Sequence, residues 1–182
     1  MKKFSFLSLI IGFTFISSTA FAAVDPEVSY ILNTLLFLIG GFLVMWMAAG
    51  FAMLESGLVT SKSVATIAAK NIGLYSIAGL MFWFVGYNLA YGIPEGGFIG
   101  TFLPWSDASS IDTGYSDGSD WFFQMVFCAT TCSIVSGTMA ERIKIWPFFL
   151  FCAILAGIIY PIEMGWQWGG GHLAAAGFSD FA

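Results

Sequence analysis

Three aromatic residues stand at positions where their rings could line a passage, as at Phe123 and Phe127, or face an outer vestibule and a cation, as at Trp168. Phe123 and Phe127 are four residues apart in an apolar run, so in a helix both rings lie on one face. Trp168 is followed by three glycines, which let the backbone approach a neighbouring element and leave the indole projecting over it. An aromatic face attracts a monovalent cation by about 0.5 to 2 kcal/mol. Core or lipid packing of the Phe pair and interface anchoring of the Trp are the alternative interpretations.

Other reactive side chains form no recognisable site in the sequence. The single histidine, His172, has no second histidine or cysteine nearby, which argues against a metal site or a nucleophilic triad. The cysteines lie in apolar runs at spacings that fit no zinc motif, so we expect small packing residues at Cys128, Cys132 and Cys152. No loop combines a nucleophile, a base and an oxyanion site. We therefore predict a protein that is not an enzyme and uses no cofactor or metal.

The elements that carry these residues are four uncharged apolar runs, each long enough to cross a bilayer. They cover residues 31–54, 72–93, 121–140 and 145–162. The 182-residue chain is 58% hydrophobic and 9% charged, with a mean hydropathy of +0.86, which leaves too little polar surface for a soluble domain. We predict an all-α integral membrane protein, a polytopic helix bundle with four transmembrane helices in this chain.

Residues 1–22 have the organisation of a secretory signal peptide. Two lysines form a basic start, an apolar stretch follows, and an Ala-Phe-Ala cleavage site occupies residues 20–22. Cleavage would give a mature chain that starts near Ala23 with its amino terminus outside the cytoplasm. An uncleaved anchor helix is the alternative interpretation.

The remaining basic residues predict the orientation of the spans. Lys62 and Lys70 lie between the first two runs, and Arg142 and Lys144 lie between the third and fourth. By the positive-inside rule both connections face the cytoplasm, and the connections without Lys or Arg face outside. The long acidic connection at 94–119 either concentrates cations at the outer mouth or simply keeps the loop solvated. The predicted location is the bacterial inner (plasma) membrane, as a multi-pass protein.

Small residues recur at four-residue intervals in the third run, which predicts a surface for close helix packing. One row holds Ala129, Ser133 and Gly137, and the adjoining row holds Cys128, Cys132, Ser136 and Ala140. Two carboxylates, Glu55 and Glu163, end the first and fourth runs, where they can cap the helix or pair locally.

Several segments together resemble the ammonium transporter (ammonium/methylammonium/Rhesus) family. The Ala-Glu-Arg that ends residues 122–142 and the Trp-Gly-Gly-Gly of 168–171 are the specific elements. Further matching segments are Ser-Asp-Phe-Ala at 179–182, residues 50–57 and Lys70-Asn71. The similarity covers nearly all of residues 28–182.

The resemblance implies a trimer of eleven-helix protomers, to which residues 23–182 contribute the amino-terminal part. Phe127 would be the outer Phe of a gate, and Phe123 and Trp168 would flank an external ammonium site. Asp180 would stabilise that site from the start of the fifth helix. Ammonium would lose its proton at the mouth and cross an apolar pore as ammonia, because rings hold a cation without trapping it. Methylammonium is a second implied substrate, and a cytoplasmic regulatory protein, but no nucleic acid, is an implied partner.

The two pore histidines of the family are absent from this sequence, and His172 corresponds to neither. We therefore expect the chain to be a fragment of a longer reading frame. Two alternatives stay open: an ammonium-sensing or regulatory membrane module, and a four-helix membrane assembly protein without transport activity. A signalling domain after the last helix would indicate the first, and independent folding and activity of residues 23–182 would indicate the second.

Overall fold

The computed structural model describes residues 24–180, and four long helices dominate that part of the chain. They are α1 (Pro26–Leu58), α2 (Ser61–Tyr91), α3 (Asp117–Met139) and α4 (Ile145–Ala175). Each is long and apolar enough to cross a membrane. The described residues contain no β-strand, which confirms the predicted all-α bundle. The predicted signal peptide, residues 1–22, lies outside the described residues.

Helix α1 is one continuous helix whose start follows from its sequence. Oδ1 of Asp25 accepts a hydrogen bond of 2.9 Å from the backbone N–H of Glu27, which caps the helix. Pro26 occupies the first helical position, where a backbone N–H would have no partner in the helix. The helix continues for 33 residues to Leu58, past the predicted end at residue 54, and so includes Glu55.

Helices α2 and α4 each contain a five-residue π-helical turn, and the two turns pack together. In α2 the turn Phe82–Gly86 joins Val64–Met81 to Tyr87–Tyr91, and in α4 the turn Leu155–Ile159 joins Ile145–Ile154 to Tyr160–Gln167. A Cβ on Gly86 would stand 3.1 Å from the carbonyl oxygen of Ala156. A Cβ on Gly157 would stand 2.7 Å from Cε of Met81. The two turns therefore pack most closely at Gly86, where a side chain would crowd the backbone of the other turn, whereas a side chain at Gly157 would displace the flexible end of Met81.

Helix α4 is irregular beyond its π-helical turn. Pro161 has no backbone N–H to donate to the preceding turn, so the widened turn lies directly before it. The regular helix ends at Gln167, the chain bends through residues 168–171, and the short helix His172–Ala175 follows. The helix therefore continues past the apolar run 145–162, because Glu163 ended the uncharged run without ending the helix.

Helix α3 lies between the other helices and contacts all three. Its small-residue stripe is confirmed as a packing surface, with these members buried: Cys128, Ala129, Cys132, Ser133 and Ser136. Gly137 is exposed. The three cysteines form no disulfide within residues 24–180, and all three are buried, as expected for packing residues. The interior therefore excludes large side chains along one face of α3 and lets α1, α2 and α4 approach it.

The position of Lys70 corrects the predicted loop assignment. The sequence placed this residue between the first two runs, but it lies inside α2 with only 5% of its surface exposed. Its ammonium group forms an ion pair of 2.8 Å with Glu55 of α1, so that each charge compensates the other. Lys62 does lie at the exposed start of α2. The uncharged run 72–93 therefore begins well after the helix that contains it, because Lys62 and Lys70 lie in the first turns of that helix.

Candidate functional site

The rings of Phe123 and Phe127 lie together on α3, as their spacing predicts. Their centroids are 5.1 Å apart at an interplanar angle of 77°, an edge-to-face arrangement. Phe37 of α1 supports the pair, with its centroid 5.4 Å from that of Phe123. Gly40 of α1 makes room for the Phe123 ring, since a Cβ there would stand 2.8 Å from Cε2 of Phe123. The position of the Phe123 ring thus depends on α1 as well as α3.

Trp168 lies in α4 directly after Gln167, where the regular part of the helix ends and the glycine-rich bend begins. Gly169 lies against the carbonyl oxygen of Ala90 in α2, where a side chain could not fit. Gly170 has φ of +76°, a left-handed backbone conformation that favours glycine. The glycines let the bend pack on α2 while the indole stays outside, with 54% of Trp168 exposed. The sequence-based expectation of a close backbone approach is confirmed, and α2 is the element approached.

Three of the four predicted site residues line one cavity of about 250 Å³. Its walls are Phe123, Gln124, Phe127, Tyr160, Met164 and Trp168. The fourth predicted residue, Asp180, does not line the cavity, but its Oδ2 accepts a hydrogen bond of 3.3 Å from the indole Nε1–H of Trp168. The structure therefore places all four residues in one neighbourhood. A cavity walled mainly by aromatic rings suits a small monovalent cation.

Sequence reasoning missed half of the cavity wall. Tyr160 and Met164 are four residues apart on α4, but the predicted span stopped at residue 162 and left Met164 outside it. Gln124 adjoins Phe123 in sequence, and no role was predicted for it. The signal that could have identified Gln124 is its position as a polar residue next to Phe123, one of two Phe residues spaced four apart.

A buried carboxylate lies behind the cavity wall at Asp120. Its Oδ2 accepts a hydrogen bond of 2.7 Å from the hydroxyl of Tyr87 in α2, and its Oδ1 accepts one of 3.1 Å from Nε2 of Gln124. Asp120 is 5% exposed and lies in the first turn of α3, where the helix dipole favours a negative charge. The carboxylate thus connects α2, the start of α3 and the lining residue Gln124.

His172 lies outside the cavity and packs between two other rings. Its ring stacks on Phe98 with centroids 4.3 Å apart and meets Trp166 edge-on at 5.0 Å. These contacts hold the glycine-rich bend of α4 against the long connection between α2 and α3. No group of three or more potential metal ligands occurs within residues 24–180.

Carboxylates in the long connection between α2 and α3 form hydrogen bonds within that connection. Oδ1 of Asp107 accepts hydrogen bonds from the hydroxyl and the backbone N–H of Ser109, which lower the pKa of Asp107 below its ordinary value. Oδ2 of Asp117 accepts a hydrogen bond of 3.0 Å from the backbone N–H of Ala108. These contacts support the interpretation of a solvated loop held by local turns.

Comparisons with known proteins agree with this architecture. Residues 35–182 match the profile of the Ammonium Transporter Family. The chain is 42% identical over 146 residues to "Ammonium transporter Amt2" of Archaeoglobus fulgidus, which covers 78% of this chain and 30% of that protein. It is 32% identical to "Ammonium transporter" of Aquifex aeolicus, which covers 100% of this chain and 44% of that protein. These relatives are named as transporters, in agreement with the expectation that the protein is not an enzyme.

Among solved structures, one titled "Sensor Amt Protein" superposes with a TM-score of 0.78 at 31% identity, over 86% of this chain and 40% of that one. The chain thus spans about a third of the length of the curated relatives it matches. The family profile, the sequence relatives and the shared fold all lead to one conclusion: this chain belongs to the Ammonium Transporter Family.

Proposed function

We propose that this chain forms the outer capture site of a protein that transports ammonium across the plasma membrane. Ammonium or methylammonium enters the cavity walled by Phe123, Phe127 and Trp168, while Asp180 holds the indole in place. The ion then loses its proton, and ammonia crosses an apolar pore completed by further helices of the protein. The observation that carries this proposal is the single cavity that joins the three predicted aromatic residues.

The physical argument rests on the composition of the cavity wall. Aromatic faces attract a cation electrostatically without placing a full negative charge on it, so that the ion can bind and leave again. A carboxylate in direct contact would hold the ion more tightly. Asp180 instead contacts Trp168, 3.3 Å from the indole nitrogen, and acts on the ion through the ring and through its charge at a distance. Half-buried rings beside an exposed indole give the ion access from water.

The proposal includes the assembly and orientation of the complete protein. It forms a homotrimer in which each protomer has its own pore, with the cavity outside the cytoplasm. The end of the bundle that carries Lys62, at the start of α2, and Arg142 and Lys144, between α3 and α4, faces the cytoplasm, in agreement with the positive-inside rule.

The test replaces Trp168 by leucine in the complete native protein and measures methylammonium uptake. Loss of one ring should raise KM by about two- to thirtyfold, the equivalent of about 0.5 to 2 kcal/mol, with the protein still present in the membrane. Trp146→Leu is the matched control, because Trp146 is exposed at the opposite end of α4 and lines no part of the cavity. An unchanged KM in Trp168→Leu would remove the cavity from the transport path.

A further inference from the structure

Asp120 has both carboxylate oxygens engaged, and one of them fixes the amide of Gln124. A carboxylate can only accept hydrogen bonds, so the NH2 group of Gln124 must be the part of the amide that faces Oδ1 of Asp120, at 3.1 Å. The Tyr87 hydroxyl donates separately to the other oxygen, Oδ2, at 2.7 Å. The hydrogen bond to Asp120 therefore determines the orientation of the Gln124 amide.

The carbonyl oxygen of Gln124 is the atom that this arrangement leaves available. Within residues 24–180, no donor forms a hydrogen bond to Oε1 of Gln124. Gln124 lines the cavity, where the other walls are rings, the thioether of Met164 and the hydroxyl of Tyr160. Because its NH2 group is bonded to Asp120, the carbonyl oxygen is the part of the Gln124 amide that remains to accept a hydrogen bond from a ligand in the cavity.

We propose that Asp120 is a positioning residue that holds Gln124 so that its carbonyl oxygen accepts an N–H from ammonium or methylammonium in the cavity. Rings attract a cation but offer no directional acceptor, whereas a carbonyl oxygen binds the N–H groups of the ion. Without Asp120 the Gln124 amide could turn and present its NH2 group, whose partial positive charge would oppose a cation. The inference rests on the proposed function of the cavity.

Two other roles of Asp120 make different predictions. As a purely structural link, Asp120 would act through Tyr87 and hold α2 to α3. As a fixed charge, Asp120 would attract the cation directly and would act whether or not Gln124 is present. A double-mutant cycle on Asp120 and Gln124 separates these roles, because residues that act through one another are not additive.

The experiment measures methylammonium uptake kinetics in the complete native protein with Gln124→Leu, Asp120→Leu and the double variant. Each single change should raise KM about tenfold, the effect of one lost hydrogen bond to a charged ligand, with little change in maximal rate per protein molecule. The double variant should be no worse than Gln124→Leu alone. Tyr87→Phe is the matched control, since it removes the other hydrogen bond of Asp120 but leaves Gln124 held, and its KM should be unchanged.

Three results would overturn the inference. KM unchanged in Gln124→Leu would exclude the carbonyl as an acceptor. Asp120→Leu effects that add fully to those of Gln124→Leu would assign Asp120 a direct electrostatic role, and an effect of Tyr87→Phe as large as that of Asp120→Leu would make the role structural. Trp168→Leu, measured beside these variants, separates the two levels of the proposal: if KM rises only in Trp168→Leu, the cavity stands and the Asp120 inference fails.

Discussion

Glu55 and Lys70 form a buried ion pair of 2.8 Å that joins all four helices. Lys70 Nζ also donates to the backbone carbonyl of Ser136 in α3 at 3.0 Å and lies 5.1 Å from the ring centroid of Phe148 in α4. The Ser136 hydroxyl donates to Oε2 of Glu55 at 2.9 Å. One ammonium group thus has an anionic, a carbonyl and an aromatic partner, each from a different helix.

Removal of Lys70 should be among the most damaging single changes in this chain. Lys70→Met leaves the Glu55 carboxylate buried without its counter-ion, which costs on the order of 3 to 5 kcal/mol. We expect a large drop in the thermal midpoint of the detergent-solubilised protein and a lower amount in the membrane. Lys62→Met removes an exposed lysine at the start of α2 and should change neither.

The Glu55–Lys70 pair also allows a comparison of the thermal midpoints of single and double variants. Combining Lys70→Met with Glu55→Gln removes both charges, so the double variant should regain much of the thermal midpoint that the single variant loses. A double variant as unstable as the sum of the two single variants would show that the charges do not compensate each other.

The pair also explains which parts of the fold could be predicted from the sequence. Four apolar runs were enough to predict four spanning helices, because hydropathy registers the average environment of a segment. Lys70 and Glu55 lay outside those runs because both are charged. No property of either residue alone reveals that the other will neutralise its charge and allow it to be buried. The π-helical turns, Phe82–Gly86 and Leu155–Ile159, leave no hydropathy signal either. Their positions depend on contacts between helices.

The candidate site was predictable to a similar extent. Phe123, Phe127 and Trp168 were identified by residue type, spacing and the family resemblance, and they line one cavity. Gln124 was not identified, because the cavity is formed by α3 and α4 together. Helical periodicity within α3 does not tell which residue beside Phe123 faces α4. The role of Gln124 emerges only from the hydrogen bond to Asp120, which lies one helical turn earlier.

Glu141 connects the loop between α3 and α4 to the loop between α1 and α2. The stability that this connection contributes should depend on pH. The Glu141 carboxylate accepts hydrogen bonds from the backbone N–H and the hydroxyl of Thr60, and these contacts, together with Ser63, lower the pKa of Glu141. A lowered pKa means that the stabilisation is present at neutral pH and is lost as pH falls through the lowered pKa, which lies below the ordinary value of a glutamate carboxyl.

The measurement compares thermal midpoints of the unsubstituted protein and Glu141→Ala across that range. The difference between them should be largest at neutral pH and should vanish in acid. Glu163→Ala serves as the control, since Glu163 is an exposed carboxylate on α4 with no hydrogen bond to these loops. A difference that stays the same from neutral pH down to the acid end of the series would contradict the connecting role of the carboxylate.

Asp180 should matter for uptake through its contact with Trp168. Asp180→Ala removes the acceptor 3.3 Å from the indole nitrogen together with a negative charge beside the cavity. We expect methylammonium uptake to fall at least about tenfold, because both the ring position and the local attraction for cations are lost. Asp107→Ala, in an exposed turn of the long connection, is the control for loss of an outer carboxylate. Full uptake in Asp180→Ala would exclude this residue from the site.

Gly40 offers a test of the cavity that changes none of its lining residues. A methyl group at this position would stand 2.8 Å from Cε2 of Phe123, so Gly40→Ala must displace the Phe123 ring or move α1 away from α3. Either shift alters the aromatic wall, and the KM for methylammonium should rise severalfold. Gly50→Ala lies on the same helix, and its added Cβ meets no atom of residues 24–180 within 4 Å, so it controls for loss of a glycine from α1. Equal KM values in the two variants would mean that the position of the Phe123 ring does not control capture, and the gate would then have to lie deeper, at Phe127.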